Sequence, residues 1–291
     1  MGPSLAHQIQ RDALLAHLTH LEGERHPFLS RGRLEAAQAY VAARWRSWGL
    51  TVVPDELSYM GEAFVNLIAR PAVFPPGPRL IIGAHLDTVP GSPGADDNAS
   101  GVAALLELSR VCASAPWRRP VEFVAFTLEE LGMVGSAHRA RALRRAGTPL
   151  IGMLSLEMIG FTETRGLQHY PWFLRGRFPS AGTYLGLGAN ARSRPLLEAV
   201  AAAMRSVEGL PVETLLLPGA GWLFPEARLS DHSPFWDQGY PALLVTDTAF
   251  FRNPHYHQAT DTVATLDLDF LTKVTRGLAA AVEALAGGVR P

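Results

Sequence analysis

Residues 79–108 read RLIIGAHLDTVPGSPGADDNASGVAALLEL, and this stretch indicates the class of the fold. It begins with an apolar run of strand length (79–85), and a loop rich in Gly, Pro and Asp follows. From Asn98 onward the apolar residues recur at helical spacing, and Asp97, Asn98 and Ser100 suit the first turn of a helix. A strand, a polar loop and a helix in succession are typical of an α/β protein.

The rest of the chain repeats this alternation. Short apolar runs bounded by breakers predict further strands at 51–57, 64–70, 121–127, 150–159 and 242–247. Helical stripes predict helices over 34–48 and 192–209, and a closing helix that includes Phe270 and Leu285. Residues 162–228 are rich in Gly, Pro and aromatic side chains, and we interpret them as partly an excursion lining the functional site rather than a separate domain.

Composition and charge exclude several classes of protein. The 291 residues are 47% hydrophobic and 18% charged, which provides apolar material for a core and excludes general disorder. A net charge of -1 gives no field that would attract nucleic acid or an anionic membrane. The single cysteine, Cys112, excludes an internal disulfide framework and a cysteine-rich zinc module.

The cellular location is predicted from the lack of targeting patterns. No segment of the sequence reaches the ~20 uninterrupted apolar residues of a membrane span. The first stretch carries Gln8, Gln10, Arg11 and Asp12, where a secretory signal would have an apolar run. We therefore expect a soluble, cytoplasmic protein that has neither a membrane nor a nucleic acid as its partner.

Acids and histidines cluster where the predicted strands end. They are His85 at the end of 79–85 and Asp87 just after it, Asp96 and Asp97 in the loop before the helix, Glu129 and Glu130 after 121–127, Glu157 in 150–159, Asp231 and His232 in SDHSPF, and His255 and His257 after 242–247. In an open α/β sheet, ligands bind at the carboxyl ends of the strands. Several separate segments therefore deliver polar side chains to the place where a site is expected.

Four of the acids would share one pocket: Asp96, Glu129, Glu130 and Glu157. Carboxylates within a few ångströms of one another do not all ionise unless cations accompany them. His85 and His257 add ring nitrogens, and a mixture of imidazole and carboxylate ligands suits zinc. Because two divalent ions balance four carboxylates, the residues predict a site with two zinc ions.

Six segments, taken together and in order, resemble one family. They are GAHLDTVP (83–90), PGADDNASG (93–101), FTLEELGMVGS (126–136), LSLEMIG (154–160), SDHSPF (230–235) and NPHYHQATDT (253–262). The set resembles the co-catalytic zinc peptidases, which include bacterial leucyl aminopeptidases, glutamate carboxypeptidase II and, as a one-zinc relative, glutaminyl cyclase. HLDTVP alone also suits a second group of zinc amidohydrolases and deacylating peptidases, but GADDNASG followed by the Glu pair favours the first family. With the alternation of strands and helices, the resemblance implies one zinc-peptidase domain over 1–291, an α/β fold with three α/β/α layers and a central mixed, mostly parallel sheet.

The resemblance also implies a set of metal ligands. His85 and Glu157 would bind the first zinc ion, Glu130 and His257 would hold the second, and Asp96 would bridge both. Many members of the family have Asp where this chain has Glu157. Glutamate keeps the charge and the oxygen ligands, so we expect the site to survive with a slightly shifted geometry.

Other roles follow from the same resemblance. Glu129 would stay off the metals as general base and acid, and Asp87 would orient His85 through its other ring nitrogen. Asp97 follows the predicted bridging residue, at a place where the family often has a cis peptide. Alternation along an extended segment puts His255 and His257 on one face, so either could be the metal ligand. The match to NPHYH favours His257 as the ligand. We expect the remaining candidates to lie beside the ligands or the substrate: Asp97, Asp231, His232 and His255.

The expected activity is that of a zinc-dependent aminopeptidase acting on a peptide or a small amide. A water bridging two zinc ions would give its proton to Glu129 and attack the carbonyl carbon. One alternative is a glutaminyl-cyclase-like acyltransferase with one zinc, against which the Asp97-Asn98 sequence argues. The other is a carboxypeptidase or dipeptidase, in which an Arg of 162–228 would bind the substrate carboxylate. A non-catalytic role is disfavoured because every ligand position and the base are present, and the sequence leaves the oligomeric state open.

Overall fold

The computed structural model describes residues 4–287, and its eight strands form one mixed sheet. The strands are β1 (Thr51–Tyr59), β2 (Glu62–Arg70), β3 (Arg79–His85), β4 (Val121–Phe126), β5 (Leu150–Glu157), β6 (Leu185–Asn190), β7 (Val212–Leu217) and β8 (Ala242–Thr246). Their order across the sheet is β1-β2-β4-β3-β5-β8-β6-β7. The pairs β4/β3, β3/β5, β5/β8 and β6/β7 are parallel, and the pairs β1/β2, β2/β4 and β8/β6 are antiparallel. The mixed, mostly parallel sheet predicted from the sequence is therefore confirmed.

Helices cover both faces of this sheet. Those described are α1 (Arg11–Leu21), α2 (Arg31–Ser47), α3 (Gly101–Cys112), α4 (Val134–Arg145), α5 (Arg194–Met204), α6 (Ser233–Asp237) and α7 (Leu268–Ala286). Apolar side chains of α1, α2, α3, α5 and α7 form one large core against the first face. Helices α4 and α6 pack on the second face, together with Leu174 and Phe224 from loops. These layers confirm the predicted α/β/α sandwich.

The central strands bring their carboxyl ends to one edge of the sheet. Every residue of β4 is buried, and so is every residue of β3 after Arg79, as expected for parallel strands covered by helices on both faces. The register sets His85 of β3 beside Phe126 of β4, and Gly83 beside Ser155 of β5. The segments that follow β3, β4 and β5 therefore emerge next to one another, and they carry the predicted polar residues.

Residues 162–228 are partly an excursion, as interpreted from the sequence, and they also contain two strands that the sequence did not predict. The segment contains β6, α5 and β7, so much of it belongs to the sheet and its covering layer rather than to an excursion. The loop between β5 and β6 is the part that leaves the sheet, and a bridge between Glu163 and Gly182 closes it. Strand β6 reads LGLGAN, and its two glycines weaken the strand pattern that the prediction relied on.

Two helix ends show how the boundaries arise. Helix α3 begins at Gly101 rather than at the predicted Asn98, because Asp97 and Asn98 have non-helical backbone angles in the preceding turn, Ala95–Ser100. Helix α7 begins after Asp267, whose side chain accepts a hydrogen bond from the backbone N–H of Phe270. Within residues 4–287, no helix combines the length and the apolar character that crossing a membrane requires.

Candidate metal centre

His85 ends β3 and lies at the centre of the polar cluster. Its Nε2 atom is 3.3 Å from Oδ1 of Asp97 and 3.4 Å from Oε2 of Glu157. Its Nδ1 atom contacts the backbone carbonyl oxygen of Asp87 at 3.1 Å, whereas the nearer carboxylate oxygen of Asp87 is 3.8 Å away. Asp87 therefore orients the ring mainly through its main chain, and this contact leaves Nε2 directed at the acids.

Asp97 occupies the position between the two histidines of the cluster. Its Oδ1 atom is 3.3 Å from Nε2 of His85, and its Oδ2 atom is 3.2 Å from Nε2 of His257. Its side chain is almost completely buried. A carboxylate that offers one oxygen to each side is the arrangement a bridging ligand requires.

Asp96 points away from this cluster. Its Oδ1 atom accepts a hydrogen bond from the backbone N–H of Gly160 at 2.9 Å, and its Oδ2 atom accepts one from Nδ2 of Asn253 at 2.7 Å. Both oxygens are thus engaged by buried donors, and the residue has no exposed surface. This placement contradicts the prediction that Asp96 bridges the metals, and Asp97 is the aspartate that lies between the two histidines.

Asp261 fixes the turn that carries these two aspartates, although the sequence reasoning did not single it out. Its two carboxylate oxygens accept hydrogen bonds from the backbone N–H groups of Asp96, at 2.9 Å, and Asp97, at 3.1 Å. The Asn98 side chain then donates to the carbonyl of Leu156 in β5 at 2.8 Å. The Asp97–Asn98 peptide is cis, one residue later than the place considered from the sequence. The only signal for Asp261 was its position inside the matched segment NPHYHQATDT.

Glu129 and Glu130 lie in the turn after β4, and the Asp87 carboxylate holds that turn. Its two oxygens accept hydrogen bonds from the backbone N–H groups of Glu129 and Glu130, both at 3.1 Å. The Glu130 carboxylate lies 3.3 Å from Nε2 of His257, whereas that of Glu129 lies 4.0 Å from Nε2 of His85. The two carboxylates therefore face different histidines, although one oxygen of each lies within 4.8 Å of the other.

Glu157 reaches the cluster although it is one methylene longer than the Asp expected from the family resemblance. Its Oε2 atom accepts a hydrogen bond from Oγ of Ser230 at 2.8 Å. That hydroxyl is in turn 3.0 Å from Oγ of Ser155 on β5. The hydroxyl of Ser230 thus holds the longer side chain in a fixed position beside His85.

Of the two histidines after β8, His257 joins the cluster. Its ring stacks on that of Tyr256 with centroids 3.7 Å apart, and its backbone has a positive φ of 58°. Such a φ is uncommon for a residue other than glycine and here accompanies a candidate functional position. The Nδ1 atom of His255 instead contacts Oγ1 of Thr260 at 2.9 Å, and its ring packs against Phe161.

Two sets of ligand atoms share Asp97. The sets are His85, Asp97 and Glu157, and Asp97, Glu130 and His257, and within each set the atoms lie within 4.8 Å of one another. A third grouping joins His85 with Glu129 and Glu130. Imidazole nitrogen and carboxylate oxygen are ligands that zinc accepts. One buried oxygen of Glu130, Oε1, has no hydrogen-bond partner in the described part of the chain, so the residues fit a bound cation.

Proton affinities in the cluster show how much negative charge it gathers. Burial and the Asp97 carboxylate raise the pKa of Glu130 to about 7. Burial lowers the pKa of His257, but hydrogen bonds to Asp97 and Glu130 outweigh it and raise that pKa to about 10. Burial also opposes protonation of His85, whose pKa is nevertheless raised well above its usual value, chiefly by Glu157. Protons here supply positive charge that a metal would otherwise provide.

Arg25 places a buried guanidinium next to the cluster and was not among the sequence candidates. It donates hydrogen bonds to the carbonyl oxygens of Leu86, Pro93 and Gly94 at 2.7 to 3.0 Å. Burial lowers the pKa of Arg25 to about 10, and the charge of Asp97 acts in the opposite direction. A lone arginine in a polar N-terminal segment carries no sequence signal, since its role depends on two loops far along the chain.

The remaining candidates have different roles. Asp231 is buried among the acids, and burial raises its pKa to about 7 against the opposing charge of His85. The Nε2 atom of His232 contacts the carbonyl oxygen of Ala227 at 2.9 Å, and its ring packs edge-on against Trp236. Burial lowers the pKa of His232 to about 3, so the ring is neutral. These contacts are those of a core residue, which is the packing role that the sequence also left open for His232.

Comparisons with known sequences agree on one family. The sequence model of "Peptidase family M28" matches residues 66–282. The uncharacterized protein YfbL of Escherichia coli K12 is 33% identical over 262 residues, which cover 84% of this chain and 78% of YfbL. Aminopeptidase YwaD of Bacillus subtilis is 53% identical over 55 residues, which cover 19% of this chain and 12% of YwaD. A probable leucine aminopeptidase of Arthroderma otae is 26% identical over 66% of this chain, which spans 49% of that relative.

Comparisons with solved structures agree on the fold. The LapA aminopeptidase of Legionella pneumophila superposes with a TM-score of 0.78 at 20% identity, over 98% of this chain and 73% of LapA. The glutaminyl cyclase of Porphyromonas gingivalis superposes with a TM-score of 0.71 at 19% identity, over 97% of this chain and 99% of the cyclase. At these identities the likeness is one of fold, and the activity has to be argued from the site.

Proposed function

The chain belongs to peptidase family M28, and from this premise we propose that it is an aminopeptidase with two zinc ions. Its substrate is a peptide or small amide with a free N-terminal amine. Relatives named as aminopeptidases support this reaction. The ligand types and the unpartnered oxygen of Glu130 support zinc as the metal.

One observation carries the count of two ions: Asp97 belongs to both ligand sets. His85 and Glu157 complete one set, and Glu130 and His257 complete the other. A carboxylate that has a separate histidine on each of its oxygens suits a pair of ions better than a single one. The gathered negative charge supports the same count, since two dications balance four carboxylates.

The proton transfers of the reaction need a group beside the ligands. When bound, zinc polarises the substrate carbonyl and lowers the pKa of a coordinated water towards about 7. The Glu129 carboxylate lies next to His85 but outside the two sets that share Asp97. Burial raises the pKa of Glu129 well above its usual value, which favours a group that both accepts and returns a proton. Glu129 is therefore the proposed base towards water and acid towards the leaving amine.

Two other activities of the family remain as alternatives. A one-zinc cyclase needs a single ligand set, and the fold likeness to glutaminyl cyclase extends over that whole enzyme. With Asp97 in the bridging place, the residue after it is Asn98, and the Asp97-Asn98 sequence no longer disfavours a cyclase. The completeness of the second ligand set disfavours it instead. A carboxypeptidase needs a guanidinium for the substrate carboxylate. The cavity next to Glu157 has no arginine in its described lining, which disfavours that reading.

The deciding experiment combines metal analysis with paired substrates. The purified chain is stripped with a chelator, titrated with zinc, and assayed on leucine anilide and on the same anilide with an acetylated amine. We expect two zinc ions per chain, no cleavage without metal, restored cleavage with zinc, and no cleavage of the blocked substrate. Cleavage by metal-free protein, or one zinc ion together with cyclisation of an N-terminal glutamine, would overturn the proposal.

A cytoplasmic location remains the prediction made from the sequence, and cell fractionation followed by immunodetection tests it. The oligomeric state is open, and light scattering on the zinc-loaded protein measures it directly.

A further inference from the structure

A cavity of about 120 Å³ adjoins the metal centre and has Glu157 in its wall. Six aromatic side chains line it, namely Tyr170, Phe178, Tyr184, Phe224, Phe250 and Phe251. Glu213 and Glu226 line it as well, whereas no Arg, Lys or His of residues 4–287 does so. Aromatic walls with acids and without a base suit a ligand that is apolar along its length and positive at its end.

Glu213 lines the cavity and lies on an apolar face of the sheet. It lies on β7, an edge strand, and is partly buried. Alternation along the strand sets it on the same face as Leu215 and Leu217, which pack in the apolar core of the second face. Among the residues that the structure describes, none forms a hydrogen bond or an ion pair with Glu213. The positive end of a ligand in the cavity would give this carboxylate a partner.

Arg252 lies next to this wall, and its charge is directed elsewhere. Its guanidinium lies 4.7 Å from the centre of the Tyr184 ring but is not part of the cavity lining. It donates to Oε1 of Gln168 at 2.9 Å and to the carbonyl of Phe161 at 3.3 Å. Its charge also opposes the burial that raises the pKa of Asp247. The charge of Arg252 therefore acts on the buried Asp247, and Arg252 forms no ion pair with Glu213.

We propose that this cavity receives the side chain of the substrate's N-terminal residue and that Glu213 selects a basic one, arginine or lysine. The inference rests on the proposed aminopeptidase activity, because the bond to be cleaved must lie at the metal centre beside Glu157. The stem of a long basic side chain packs on the aromatic rings while its charged head pairs with Glu213. A leucine side chain would leave Glu213 unpaired, and an acidic side chain would be repelled by it.

The test compares substrates of similar shape and different charge. Anilides of arginine and citrulline differ mainly in the charge of the head group, and those of lysine and norleucine form a second pair. We expect kcat/KM to be roughly ten- to hundredfold higher for each charged member, the range of a hydrogen bond to a charged group. In Glu213→Gln the two members of each pair should become nearly equal.

Glu226→Gln is the matched control, because Glu226 also lines the cavity but is exposed. We expect it to retain most of the preference for arginine, and a larger loss there than in Glu213→Gln would overturn the assignment to Glu213. Calorimetric binding of argininamide and citrullinamide to zinc-loaded protein gives a readout that does not need turnover. Equal cleavage and equal binding within each pair would overturn the inference and leave the aminopeptidase intact. Failure to cleave any anilide would instead overturn the proposed function, and the binding comparison would still decide the role of Glu213.

Discussion

Asp96 and Asp97 are identical side chains next to each other, and their partners give them different roles. The oxygens of Asp97 face the ring nitrogens of His85 and His257. Those of Asp96 accept hydrogen bonds from buried N–H groups of the surrounding loops. A carboxylate already engaged by buried donors is poorly placed to bind a metal ion. At the scale of one residue, the ligand is thus selected by competition for its oxygen atoms.

The paired variants Asp97→Asn and Asp96→Asn test this selection. We expect Asp97→Asn to lose the second zinc ion and more than about 100-fold in kcat/KM, because supporting residues alone are worth 10–100-fold. Asp96→Asn should keep two zinc ions and lose about 1–3 kcal/mol of unfolding free energy, the cost of an unsatisfied buried group. Metal analysis and urea denaturation measure both quantities. Equal zinc contents in the two variants would contradict the assignment.

The adjacent acids Glu129 and Glu130 allow a second comparison. Glu129→Gln should bind zinc normally and lower kcat by about 10²–10⁴-fold, the range for loss of a general base. Glu130→Gln removes a charged ligand and should lower the zinc content as well as the rate. Metal analysis next to single-substrate kinetics separates the two outcomes. Normal turnover in Glu129→Gln would mean that another group moves the proton.

At the scale of elements, two turns of the site are built in the same way. Asp87 accepts hydrogen bonds from two consecutive backbone N–H groups in the turn after β4. Asp261 does the same for the turn before α3. Each carboxylate comes from a distant part of the chain and fixes the backbone of a turn that carries candidate ligands. The ligand geometry therefore depends on capping residues that touch no metal themselves.

The capping role of Asp261 gives a third prediction. Asn at this position offers one acceptor oxygen for two N–H groups and turns a donor towards the other. We expect Asp261→Asn to weaken zinc binding by about 10–100-fold and to lower the unfolding free energy by about 1–3 kcal/mol. Asp269→Asn is the control, because that side chain is exposed. A competition titration with a zinc indicator measures the affinity, and an unchanged value in Asp261→Asn would contradict the role.

Elements buried on both faces were predictable, and those with mixed surroundings were not. Strands β3 and β4 read as continuous apolar runs, because helices cover both of their faces. Strand β6 was missed since Gly186 and Gly188 break its pattern, and β7 because most of its residues are only half-buried. In the site, residue types and order predicted His85, Glu130 and Glu157 as neighbours. The choice between Asp96 and Asp97 depended on a turn fixed by a residue far along the chain, which local sequence does not encode.

At the scale of the whole molecule, acids collected from separate strands make stability depend on pH and on metal. The folded pKa of Glu130 is raised to about 7 from 4.5, and that of His257 to about 10 from 6.5. Between pH 4.5 and about pH 10, the metal-free folded protein therefore holds more protons on these two residues than the unfolded chain does. Its unfolding free energy therefore falls as the pH rises, first through Glu130 and then through His257. The stabilising contribution of His257 is complete below pH 6.5 and disappears as the pH approaches about 10.

Zinc should reverse this trend, because the ligands must release their protons before they bind it. We expect the difference in Tm between zinc-loaded and metal-free protein to widen from about pH 5.5 to about pH 8.5. At a free zinc concentration of 100 times the Kd, each site adds about 2.7 kcal/mol. His257→Gln should reduce the widening, whereas His255→Gln should leave it unchanged, since His255 bonds to Thr260 outside the cluster. Differential scanning calorimetry at both pH values measures the effect, and a constant difference in Tm would show that the ligands are not protonated in the metal-free state.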